Sequence, residues 1–161
     1  MPRYGIGAEH PINDRAQIVF ALVFLIVWVI DSFFLHYAIN MAGLISLFIT
    51  VPIGVICFIV GAYFVRNAEA VVFSNEEGKV IDTGVYGWVR HPMYLGSLLI
   101  LLGFTLSTLS ILSFIVWIAF FIFFDRMATY EEKDLKRILD QKYANYQKRV
   151  HKWIPIKRTN I

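Results

Sequence analysis

Long apolar runs broken by short polar stretches dominate the chain from Ile18 to Phe124. The first run spans Ile18 to Ala38; about 21 residues rising ~1.5 Å each give about 31 Å, the thickness of a bilayer's hydrocarbon core. A second runs from Leu44 to Val65. The third, Tyr94–Ser107, and the fourth, Leu109–Phe124, are shorter and share the tight polar turn Ser107-Thr108-Leu109-Ser110, which predicts a helical hairpin. After Phe124 the pattern changes. Leu135, Leu139, Tyr143, Tyr146 and Val150 recur at intervals of three and four, so the segment Arg126–Val150 is expected to be one amphipathic helix.

Composition sets the solvent for these helices. Of 161 residues, 58% are hydrophobic and only 17% charged, more apolar surface than a soluble domain of this size can bury, so lipid must cover it. The basic residues set the orientation. Arg3 and Arg15 precede the first run, Arg66, Lys79 and Arg90 lie between the second and third, and all the others follow Phe124. The Asn40–Gly43 and Ser107–Ser110 connections have none, so every basic residue falls on one side and both termini are expected in the cytoplasm. The expectation is an all-α polytopic membrane protein, a single membrane domain over 1–161. It has about four transmembrane helices, the last two a hairpin, and a cytoplasmic amphipathic C-terminal helix.

Other classes fall away. The polar N-terminal stretch and the lack of a small-residue cleavage site predict no cleavable signal peptide. Cys57 is a lone cysteine inside an apolar run, and no Cys/His spacing suits a metal. The basic tail is interrupted by acids, so it reads as facing membrane lipids rather than nucleic acid.

Several polar positions invite a choice. Asp31 and His36 lie within the first apolar run; a carboxylate there must face protein or water, as part of a substrate pocket or as a packing contact. Pro52 and Gly54 predict a kink or close packing in the second span. The connection from Arg66 to Arg90 is long and ends in glycines, aromatics and the sequence Arg90-His91-Pro92. By composition it is an aromatic belt with a basic anchor, or a site. The pair Glu131-Glu132 is unfavourable beside an anionic surface unless it meets a cation.

Two segments carry a resemblance. Gly84 to Gly96, with Arg90-His91-Pro92-Met93-Tyr94-Leu95-Gly96 at its end, resembles the Arg-His-Pro-x-Tyr-x-Gly signature of the isoprenylcysteine carboxyl methyltransferase and phospholipid methyltransferase superfamily. Glu131-Glu132-x-x-Leu135, Tyr143-x-x-Tyr146, Lys148-Arg149-Val150 and Pro155 follow the same superfamily's C-terminal pattern. The likeness covers residues from about 80 to about 157. It departs at Val85, where the family often has Pro, at Asp140-Gln141, where a Phe-Gly pair is common, and in the spacing of Arg126 to Glu131.

The resemblance implies an integral membrane methyltransferase that uses S-adenosyl-L-methionine without a Rossmann domain and acts on a lipidic or hydrophobic acceptor from the bilayer. Residues 66–161 would form the methyltransferase core, and 1–65 would set the substrate. The cofactor is expected on Tyr86, Val89, His91, Pro92, Tyr94, Leu95, Glu131, Glu132, Tyr143 and Tyr146. Glu131, Arg126 and Arg90 are the expected catalytic residues, a base and two candidates for positioning the acceptor, and no metal is implied. The small size suits a prokaryotic cell membrane better than the endoplasmic reticulum. A non-catalytic membrane scaffold or transporter subunit, and a reductase using NADPH, are the other readings.

Overall fold

In a computed structural model, the backbone is described for residues 11–35, 37–74 and 80–155, and side chains for 17–35, 47–72 and 80–155. Every named element is helical. Helix α1 (Pro11–Val29) runs into a π-helical turn (Ile30–Leu35), followed by α2 (Tyr37–Ser74), a 3₁₀ turn (Gly84–Gly87), α3 (Pro92–Thr108) and α4 (Ile111–Arg149). Three stretches are long and apolar enough to cross a membrane: Gln17–Leu35, Leu47–Val72 and α4; the apolar α3 is shorter, at 17 residues. Their exposed surface is largely Ile, Val, Leu and Phe, which water does not tolerate over this extent and lipid does. The protein is an integral, multi-pass membrane protein.

The chain forms two compact units, one from Glu9–Ala62 and Gly96–Phe123, the other including Tyr63–Leu95 and Phe124–Ile161. The boundaries fall inside α2, α3 and α4.

In the first unit, small residues let helices approach. A Cβ on Gly54 would lie 2.6 Å from the carbonyl oxygen of Gly103, and one on Gly61 at 2.6 Å from that of Gly96, so α2 and α3 pack backbone to backbone. The expected close packing at Gly54 is present, and Pro52 sits inside α2. Trp117 of α4 donates to the carbonyl of Leu98 at 2.8 Å, and Phe20 of α1 meets the Phe120 ring edge-on at 5.2 Å. The hairpin turn falls where the polar break predicts. Ser110 N–H bonds the carbonyl of Thr105 at 3.2 Å and Leu109 takes φ 52°, the wrap that ends a helix with one left-handed residue.

Asp31 settles into this turn. It is buried in the π-turn and accepts from the Ser110 hydroxyl at 2.5 Å and from Leu112 N–H at 3.3 Å. It thus caps the N-terminus of α4 from another helix, where free N–H groups and the helix dipole favour an anion. Of the two readings of Asp31, the bonds support the packing contact. His36 lies outside the described residues.

Two expectations need correction. The long connection from Arg66 is partly helix, because α2 continues to Ser74. Nothing in Arg66–Ser74 breaks a helix, and only loss of hydrophobicity had suggested a loop. The amphipathic segment 126–150 is not a helix of its own but continues α4 from the fourth apolar run, broken at Asp140 (φ 44°, ψ −121°). Its apolar face still gathers as one cluster: Tyr143, Tyr146 and Val150, with Leu135, Leu139 and Val80 against them.

Candidate functional site

The second unit builds the site from the end of the 3₁₀ turn, the start of α3 and the polar part of α4. Gly84 opens the turn at φ +56°, a conformation that costs a residue with a Cβ about 1–2 kcal/mol. The turn delivers Val89, fully buried, to a parallel bridge with His151. Arg90 N–H then bonds the carbonyl of His151 at 2.9 Å. Pro92 starts α3, where its missing N–H is no loss. With the loop pinned this way, Arg90, His91 and Tyr94 face the Glu131-Glu132 pair of α4.

The two glutamates do different things. Glu132 is enclosed: one oxygen accepts from Arg90 Nε at 2.8 Å and lies 3.0 Å from His91 Nε2, and the other accepts from Gln147 at 3.0 Å. Burial pushes its carboxyl up, but the His91 and Arg90 hydrogen bonds and the Arg90 charge outweigh that and leave it below the usual carboxylate range. Arg90 also donates through Nη1 to the carbonyls of Val150 (2.7 Å) and Gln147 (3.2 Å), satisfying the end of α4. The guanidinium is therefore a clamp between loop and helix.

Glu131 is more open, its side chain 30% exposed against 13% for Glu132. It accepts from the Tyr94 hydroxyl and lies 3.6 Å from His91 Nδ1. Burial raises its carboxyl above the usual range, and the Tyr94 bond and the His91 charge only partly offset this. Tyr94 and His91 stack at 5.7 Å with rings nearly parallel, so Glu131 meets the edges of two stacked rings.

The other expected residues divide. Tyr86 contributes its carbonyl, which accepts from Tyr146 at 2.7 Å. Tyr143 and Tyr146 are brought to the site's side but buried in the apolar cluster, and burial pushes both phenols far above their ordinary range. Pro92 is buried and Leu95 half-buried on the first turn of α3. Arg126 is exposed; five residues before Glu131, it sits about 140° around the helix from it, so the helix does not bring it to the glutamates. Gln147, Asp125, Lys152 and Trp153 were not singled out in the sequence, and no spacing marks them.

The profile of the phospholipid methyltransferase family matches residues 39–142. The chain is 38% identical over 76 residues to a methanethiol S-methyltransferase of Pseudomonas deceptionensis, covering 47% of this chain and 28% of that one. It is 36% identical over 77 residues to a protein-S-isoprenylcysteine O-methyltransferase of Saccharomyces cerevisiae, covering 47% and 32%. The chain thus spans about a third of these relatives' length. Among solved structures, the eukaryotic intramembrane Ras methyltransferase, an isoprenylcysteine carboxyl methyltransferase, shares the fold at TM-score 0.66 and 21% identity, over 92% of this chain and 54% of that one. With a family profile matched over more than half its length, the chain belongs to the phospholipid methyltransferase family.

Proposed function

We propose that this protein is a membrane methyltransferase that takes its methyl group from S-adenosyl-L-methionine and passes it to a lipidic or otherwise hydrophobic acceptor. The observation that carries this reading is Glu131: a half-open carboxylate of raised pKa, next to two stacked aromatic rings and beside a loop rich in backbone donors and acceptors. Such a site suits a ligand with a cationic amine and a sulfonium. The amine would pair with the Glu131 carboxylate through a charge-assisted hydrogen bond.

When bound, S-adenosylmethionine supplies an electrophilic methyl carbon on sulfur; the chain's own residues do the rest. Glu131 holds the ligand's amine. The Tyr86–His91 backbone and the Pro92–Leu95 turn offer hydrogen bonds and apolar contact to its base. Glu132, Arg90 and Gln147 keep the loop on α4, and orientation of this kind accounts for several kcal/mol of a displacement barrier. A carboxylate or thiolate acceptor needs no base. An amine acceptor must lose a proton before it is nucleophilic.

The relatives act on different acceptors by name, a thiol in one and an isoprenylcysteine in the other, so donor chemistry transfers to this chain more readily than acceptor identity. In the proposed topology both termini and the site lie in the cytoplasm of a prokaryotic cell, and the acceptor arrives from the bilayer.

The experiment is calorimetric titration of S-adenosylhomocysteine into detergent-purified protein. Wild type should bind. Glu131→Gln should bind about tenfold or more weakly with its thermal midpoint kept, as loss of a charged hydrogen bond implies. No binding by folded wild type would sink the reading and return the scaffold alternative.

A further inference from the structure

Asp125, the first residue after the apolar run of α4, collects donors from residues 27 and 28 positions later. Lys152 Nζ donates to its carboxylate at 2.6 Å, to its backbone carbonyl at 3.0 Å and to the Thr129 hydroxyl at 2.7 Å. Trp153 Nε1 donates to the same carboxylate oxygen at 2.8 Å. The Lys152 ammonium also lies 5.7 Å from the Trp153 ring. The methyl-transfer reading uses none of these residues.

What they hold in place is part of the site. Four rings form a ladder. Phe124 and Tyr94 stack at 4.8 Å and 15°, Tyr94 and His91 at 5.7 Å and 6°, and His91 and Trp153 meet at 6.1 Å and 38°. The two middle rungs are the neighbours of Glu131. Phe124 and Tyr94 stand on helices, but Trp153 comes from the segment after α4, which pairs with the loop at the Val89–His151 bridge. A bridge does not fix an indole two residues on; four further bonds to α4 do.

We propose that Asp125 and Lys152 form a latch that fixes Trp153 as the end rung of this ladder, making Trp153 a positioning residue that orients His91 toward Glu131. The proposal rests on the reading of Glu131 as part of a cofactor site. The segment after α4 thereby closes the ring stack beside Glu131.

The test uses the full chain in detergent with S-adenosylhomocysteine as probe. Asp125→Asn keeps the size and loses the charge; Trp153→Phe keeps a ring and loses the N–H. Each should weaken binding about tenfold, the double variant should be little worse than the poorer single, and Lys152→Arg, which keeps the cation, should retain most of the affinity. A second readout needs no ligand. In protein with carbon-13 histidine, the His91 signal, assigned through His91→Gln, should move in both Asp125→Asn and Trp153→Leu as the indole's ring current leaves it. An unmoved His91 signal in Asp125→Asn overturns the latch. A moved signal with wild-type affinity overturns the positioning role. Absence of binding in wild type is the separate failure of the functional reading; it removes the positioning role as well, while the His91 signal still decides the latch.

Discussion

Glu131 and Glu132 are neighbours in sequence with opposite titration behaviour. Successive residues on a helix point about 100° apart, so one carboxylate enters the Arg90–His91–Gln147 enclosure and the other the space beside Tyr94. Their pKa shifts have opposite signs, and so have the consequences. Glu132 and Asp125 are both held below the usual range. The stability they contribute is present above the unfolded carboxylate range and is lost as pH falls through their lower folded values. Glu131 is raised, so it loses its charge first as pH falls. Affinity for S-adenosylhomocysteine should therefore drop on mild acidification, at a pH above the ordinary carboxylate range, while circular dichroism still reports a folded protein. Titrations over a pH series check this. Affinity and helicity failing together would contradict the split. The motif made both glutamates candidates; it did not show which one Arg90 holds, because only the fold brings Arg90 to one of them.

At the scale of elements, the apolar periods foretold the hairpin and the cluster of Leu135, Leu139, Tyr143, Tyr146 and Val150. They did not reveal the break at Asp140. The period continues across it at Leu139 and Tyr143, and an Asp in mid-segment is no breaker by itself. The structure puts Asp140 at φ 44°, ψ −121°, a region suited to glycine and costing other residues about 1–3 kcal/mol. Asp140→Gly should raise stability by about 1 kcal/mol, part of the strain relief being offset by glycine's greater freedom in the unfolded chain. Thermal unfolding in detergent measures it, and a lower midpoint would mean the Asp side chain contributes more than its backbone costs. The continuation of α2 to Ser74 was equally hidden, since a helix that leaves an apolar phase loses its hydrophobic signal without losing its hydrogen bonds.

For the whole molecule, the placement of Lys and Arg yields a prediction of topology. Reporter fusions active only in the cytoplasm should be active at both the N- and C-termini and inactive in the Ser107–Ser110 turn; activity in that turn would invert the proposed orientation. Within the first unit, glycines at positions 54, 61 and 103 set how closely α2 and α3 approach, something apolar counts do not express.

By itself the sequence determined the lipid-covered helices, the hairpin turn and the two motifs whose residues gather in one unit, because hydrophobic runs and turn chemistry are local properties of the chain. Tertiary structure decided which residues do what. It made Asp31 a cap, Arg90 a clamp and Glu131 the open acid, left Arg126 outside, and brought Trp153 to His91. These roles depend on partners 40 to 80 residues away, and no local pattern encodes such a partner.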